Sequence, residues 1–182
     1  TFTNKAAKEM RERVFKLIQE DKGLNVPISF TERPFVSTFH SLGVHIIKEN
    51  AQRFGLTRNF TIFDRSDSRR AVKHALEDIG LDPKQYEPNT LLSIISKEKG
   101  NSVNLTKFAA NIGNDYMRDV IAKVWTRYEA ALKKEKALDF DDLLLKTAEL
   151  LESDESVRTH YQNVWHYVHI DEYQDTNKVQ YK

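Results

Sequence analysis

Along the chain, apolar positions recur mostly at helical spacing. Ala7, Met10, Val14, Leu17 and Ile18 follow Asn4, a residue suited to capping, and predict a helix from Asn4 to about Glu20. Residues Asp21 to Arg33 contain Gly23 and Pro27 and read as a loop. Phe35 to Thr38 is short, apolar and β-prone, which predicts a strand. His40 to Phe54 reads as a second helix, closed by Gly55. Phe60 to Phe63 predicts a short extended segment. Asp64 or Ser66 then caps a helix whose stripe is Ala71, Val72, Ala75, Leu76 and Ile79, ending at Gly80. Leu91, Leu92, Ile94 and Ile95 mark a short helix before Gly100. A long helix is expected from Thr106 to Lys136, with Gly113 as its weak point. Asp139 is placed to cap a helix through Leu151, and Glu155 to Asn163 gives one more. The last element changes character: Trp165 to Ile170 is aromatic and β-branched, and reads as a strand running into Asp171 and Glu172.

This pattern predicts an α/β chain that is predominantly helical. A helical insertion of about 100 residues separates two strand-and-turn pieces, each too short to be a domain alone, so both are expected in one split sheet. The 182 residues are enough to bury a real core. Apolar residues at 40% and charged residues at 30% exclude collagen-like and disordered classes. Cysteine is absent, which removes disulfides, thiolate zinc sites and a cysteine nucleophile. No apolar run approaches membrane-helix length, so no membrane partner is expected and the cytoplasm is the default compartment. The chain begins at Thr1 inside a motif, which suggests a piece of something longer. The net charge of +1 hides an asymmetry. Residues 139–182 carry ten acidic and four basic side chains, a net of −6, and residues 1–138 carry +7. Two surfaces with different partners would produce such a split, and so would scattered solvated charge.

The chemically loaded segment is His169-Ile170-Asp171-Glu172-Tyr173-Gln174-Asp175. In open α/β sheets ligands sit beyond the carboxyl ends of strands. An Asp at such an end can hold Mg²⁺ through water, and an adjacent Glu can activate an attacking water. A solvated acidic turn has the same appearance. Nucleotide hydrolysis of this design also needs G-x-x-x-x-G-K-[ST]. None of the six glycines is followed by Lys, so this stretch by itself is expected not to hydrolyse ATP. At the start, Thr3 and Asn4 at a helix N-terminus suit a phosphate contact, and Phe2 suits stacking on a base or burial in a core. His166 and His169 are three apart on the expected strand and so face opposite ways, which argues against a shared metal. His45 and His74 fall on helices and are expected at the surface or its boundary. Tyr116, Trp125 and Tyr128 share a helix and are expected to pack in the core, with a base-stacking platform as the alternative. Lys97, Lys99 and Lys107 flank Gly100-Asn101, either as a duplex-phosphate contact or as a solvated loop.

Four segments in order carry a family resemblance. Thr1 to Met10 resembles motif Ia of the UvrD/Rep/PcrA-like superfamily I DNA helicases. Thr38-Phe39-His40-Ser41 resembles their next DNA-contacting motif. Leu138-Asp139-Phe140-Asp141-Asp142-Leu143-Leu144 resembles their later LDFDDLL motif, and Ile170 to Asn177 their Walker B box. The resemblance covers essentially the whole chain.

It implies part of a RecA-like P-loop NTPase domain, 1A, at residues 1–40 and 139–182, interrupted by a helical subdomain, 1B, at 41–138. It implies ATP and Mg²⁺ as cofactors, 3′→5′ movement on single-stranded DNA, and a single-strand/duplex junction as substrate. The remaining helicase domains would be partners. Asp171 matches the Mg²⁺-binding Asp and Glu172 the catalytic base; Gln174 and Asp175 match residues coupling the nucleotide site onward. Phe2, Thr3, Asn4, Phe39, His40 and Phe140 match positions lining the single-strand path. Two other classes share these features: a non-enzymatic DNA-binding or protein-interaction module, and a helicase-like subunit of a helicase–nuclease complex.

Overall fold

A computed structural model describes residues 1–20 and 33–182. The expected loop from Asp21 lies outside these residues, apart from Arg33. Helix α1 spans Asn4–Glu20. Its first turn is closed by Thr3, whose Oγ1 accepts from the Ala6 N–H at 3.1 Å, so Thr3 takes the capping role expected of Asn4. Helix α2 spans Phe39–Glu49, capped by Thr38, and a 3-10 turn at Ala51–Phe54 ends at Gly55 with φ +68°. Strand β1 (Thr61–Phe63) leads into α3 (Arg65–Asp78). Asp64 accepts from Asp67 N–H and Asp67 returns the bond, a reciprocal capping box. Helix α4 covers Pro88–Gly100.

The long helix expected from Thr106 to Lys136 is two helices, α5 (Leu105–Ala109) and α6 (Tyr116–Lys134). Gly113 at φ +61° leaves the helical region between them, and Asp115 caps the new start by accepting from Met117 and Arg118 N–H. Tyr116 consequently stands at an open first turn and is 65% exposed, whereas Trp125 and Tyr128 are buried as expected. Strand β2 (Ala137–Asp139) follows, then α7 (Asp142–Ser153), α8 (Glu155–Val164) and the short α9 (Lys178–Tyr181).

Among the described residues one sheet forms, with β1 and β2 parallel and Thr61 opposite Ala137. The strands expected at Phe35–Thr38 and Trp165–Ile170 are absent: both segments lack a ladder partner, and β-propensity without a partner makes no strand. Tyr167 and Val168 are accordingly exposed.

Among the described residues three apolar clusters divide the interior. The largest joins α3, α4, α5 and α6 through Val72, Leu76, Ile95, Phe108, Trp125 and Tyr128. A second joins α2, α7 and α8 through Ile46, Leu150, Val157 and Tyr161. The third links Ile47, Phe60, Leu138 and Leu143 beside the strand pair. Helices α2 and α7 approach so closely that a Cβ on Gly43 would lie 2.3 Å from the Leu143 carbonyl oxygen.

Candidate functional site

The N-terminus of α2 gathers the candidate side chains. Thr38 Oγ1 accepts from the Ser41 N–H at 3.1 Å and fixes the helix start. The next two residues, Phe39 and His40, each meet an aromatic ring from a distant segment. Phe39 packs against Phe2 with ring centroids 5.6 Å apart, and His40 stacks on Phe140 at 3.8 Å with the planes 21° apart. Four of the six expected single-strand positions thus form two aromatic pairs, anchored on neighbouring residues of α2. Phe2 and Phe140 keep 37% and 57% of their surface exposed, enough for a further planar group to stack. Thr3 and Asn4 lie exposed beside Phe2 at the start of α1. Burial holds the His40 pKa below 6.5, with the Asp141 charge opposing.

Extended segments bring the acidic motif towards the same end of the molecule. Thr1 nitrogen donates to the Ser37 carbonyl at 3.3 Å, and Thr1 Oγ1 donates to Asp171 Oδ2 at 3.3 Å. Glu172 adopts the left-handed region with φ 52°, unusual for a residue with a side chain, and Gln174 Nε2 donates to its carboxylate. Asp171, Glu172, Gln174 and Asp175 are all exposed. An exposed carboxylate such as Asp171 fits Mg²⁺, which keeps several waters and takes few protein ligands. A cleft of about 1000 Å³ lined by Lys48, Arg53, Arg58, His160 and Tyr161 lies elsewhere and contains none of the candidate residues.

The structure corrects the reading of Lys99. It is no loop lysine; it sits in the last turn of α4, 1% exposed, in a cluster of carboxylates. Its Nζ lies 2.7 Å from Asp139 Oδ2, 2.9 Å from Asp142 Oδ1 and 3.2 Å from Glu129 Oε1. Tyr128 donates to the same Asp139 oxygen at 2.9 Å. Burial opposes the Lys99 charge, but Asp142, Asp139 and Glu129 outweigh it and hold its pKa well above the ordinary value. Burial pushes Asp139 up to about 6, helped by Asp142 and opposed by Lys99. Asp139 and Asp142 also bond each other's backbone: Asp142 N–H donates to Asp139 Oδ1 at 2.7 Å, and Asp139 N–H to Asp142 Oδ2 at 3.4 Å. Asp139 therefore ends β2 and still caps the start of α7. The sequence signal for this cluster was the charge density of Asp139, Asp141 and Asp142 beside apolar positions. Its cationic partner, 40 residues earlier, carried no local mark.

Compared with known families, residues 1–182 match the model of the UvrD/REP helicase N-terminal domain over their whole length. The chain belongs to that family. Among its curated relatives is the ATP-dependent DNA helicase PcrA of Leuconostoc citreum, 41% identical over 181 residues, covering 100% of this chain and 23% of that protein. The PcrA of Staphylococcus aureus strain Mu50 is likewise 41% identical over 181 residues, and that of Staphylococcus epidermidis 40%. The chain thus spans about a quarter of the length of these relatives. For a member of the UvrD/REP family, the mainly helical chain with a small parallel sheet fits a stretch of a RecA-like domain. No helix among the described residues is long and apolar enough to cross a membrane.

Proposed function

We propose that this chain forms part of the motor of an ATP-dependent DNA helicase, contributing a stretch of the single-strand path and the acidic side of the nucleotide site. The observation that carries the reading is the convergence of Phe2, Phe39, His40 and Phe140 into adjacent aromatic pairs at a capped helix start. Aromatic platforms of this kind hold single strands without base preference, because every base has a π-face. The Thr38 cap takes only the Ser41 N–H of the first turn of α2, which leaves the N–H groups of Phe39 and His40 for a phosphate. Thr3 and Asn4 supply further polar contacts to the strand, and movement is 3′→5′ from single strand into duplex at a junction.

Glu172 accepts the proton of the attacking water, and Gln174 holds the Glu172 carboxylate in place, supported by the bond between them. Asp171 would hold Mg²⁺, and the ion would supply the charge that neutralises the phosphates of bound ATP. The phosphate-cradling loop and the second RecA-like domain come from outside these 182 residues. The proposed division places the RecA-like part in 1–40 and 139–182 and the helical part in 41–138. The packing of α2 on α7 instead argues for extending the first RecA-like piece to Glu49. DNA repair or replication in the bacterial cytoplasm is the proposed setting.

The test is Glu172→Gln in the full-length protein, with DNA-stimulated ATP turnover as readout. Loss of general-base catalysis typically costs 10²–10⁴-fold. Turnover at the wild-type rate would remove Glu172 from its role.

A further inference from the structure

Phe140 and Asp141 form the tip of a turn whose two shoulders are Asp139 and Asp142. The shoulders bond each other's backbone N–H, so the turn is closed on itself. Both carboxylates end on the ammonium of Lys99, delivered by α4 from the helical insertion, while the Lys146 ammonium stands farther off, 3.8 Å from Asp142 Oδ1. Helix α6 adds Tyr128 to Asp139 and Glu129 to Lys99. On the outer side of the turn, the Phe140 ring lies on His40. A buried ion cluster is weak support for stability, since apolar residues of similar volume often serve as well. What charge-assisted bonds add is direction: they fix the shoulders relative to α4 more narrowly than apolar packing does. The end of α4 also neighbours the stretch after the acidic motif, for a Cβ on Gly100 would meet Asn177 Nδ2 at 3.7 Å.

We propose that Lys99 is a positioning residue: through Asp139 and Asp142 it sets the Phe140 ring on His40 and so ties the helical insertion to the single-strand path. This rests on the reading of Phe140 as a DNA contact. The turn geometry itself does not, and the experiment separates the two. Lys99→Met, Phe140→Ala and the double variant are made in the full-length protein. Single-stranded DNA affinity is read by fluorescence anisotropy, and the stack by the ring-current shift of the His40 protons in histidine-selectively labelled protein without DNA. The pair Lys99→Gln with Asp139→Asn, which removes one charge of each sign, gives the same readouts if Lys99→Met does not fold.

The expected result is that Lys99→Met abolishes the His40 ring-current shift and weakens DNA binding about tenfold. Phe140→Ala should do the same, and the double variant no more than either single one. A Lys99 variant that folds and keeps the His40 shift overturns the proposal, and so does a double variant about a hundredfold weaker. Loss of the shift, with DNA affinity untouched by Phe140→Ala, upholds Lys99 as the positioning residue and overturns Phe140 as a DNA contact.

Discussion

Replacing Gly43 by alanine tests the packing that carries the aromatic pairs. The new Cβ would stand 2.3 Å from the Leu143 carbonyl oxygen and 3.0 Å from its carbon. These are backbone atoms of α7 and cannot rotate aside. Restoring an ordinary 3.4 Å contact requires α2 and α7 to part by about 1 Å along that line. Overpacking a close contact costs about 1–3 kcal/mol, whereas alanine in a helix interior gains up to about 1 kcal/mol over glycine. A backbone clash belongs at the upper end, leaving about 1–2 kcal/mol of net destabilisation. For a unit of this size that is a fall in melting temperature of about 2–8 °C. Thermal unfolding followed by circular dichroism reads it. Gly100→Ala is the control, because its Cβ meets a single atom, the Asn177 amide nitrogen, at 3.7 Å. Parting the helices also separates His40 on α2 from Phe140 just before α7, so single-stranded DNA affinity should fall with stability. A Gly43→Ala protein as stable as wild type, or more so, refutes the close approach of these helices.

Two further outcomes follow from local geometry. Asp64→Ala removes the side chain that accepts from Asp67 N–H and should cost about 1 kcal/mol, measured by urea unfolding, with Asp64→Asn recovering most of it. His40 binds its proton less readily in the fold than in the open chain, so its contribution to stability is present above pH 6.5 and is lost as pH falls below that. A pH series of unfolding midpoints should lose part of its slope just below pH 6.5 in His40→Gln; an unchanged slope removes the half-buried imidazole as its source.

Much of the helical framework was legible because it is local. The stripe from Ala71 to Ile79 and the Asp64 cap needed nothing beyond their own neighbours, and α3 lies where they place it. The segments Phe35–Thr38 and Trp165–Ile170 carry equally clear β-propensity, but a strand is a pairing and their pairing is not encoded in themselves. Gly113 was visible as a weak point. That it ends one helix depended on its positive φ and on Asp115 being free to cap the next. For the candidate site, the motifs named Phe2, Phe39, His40 and Phe140 individually. No local rule says that residues 40 and 140 stack. Lys99 shows the limit most plainly. Beside Gly100 and Asn101 it has the composition of a loop, and only the carboxylates arriving from Asp139 and Asp142 turn it inward.

The two-stranded ladder has a mechanical consequence. Residues 64–136 leave the rest of the chain at Phe63 and rejoin it at Ala137. With Thr61 opposite Ala137, those attachment points are roughly 8 Å apart by ordinary strand spacing. Covalent attachment at two points so close together would by itself leave that segment free to turn about a narrow pivot. Asp139 belongs to that pivot, since it pairs with Phe63, so its bond to Lys99 braces α4 against the ladder itself, and Asn104 bonded to Glu149 of α7 braces the helices at a second place.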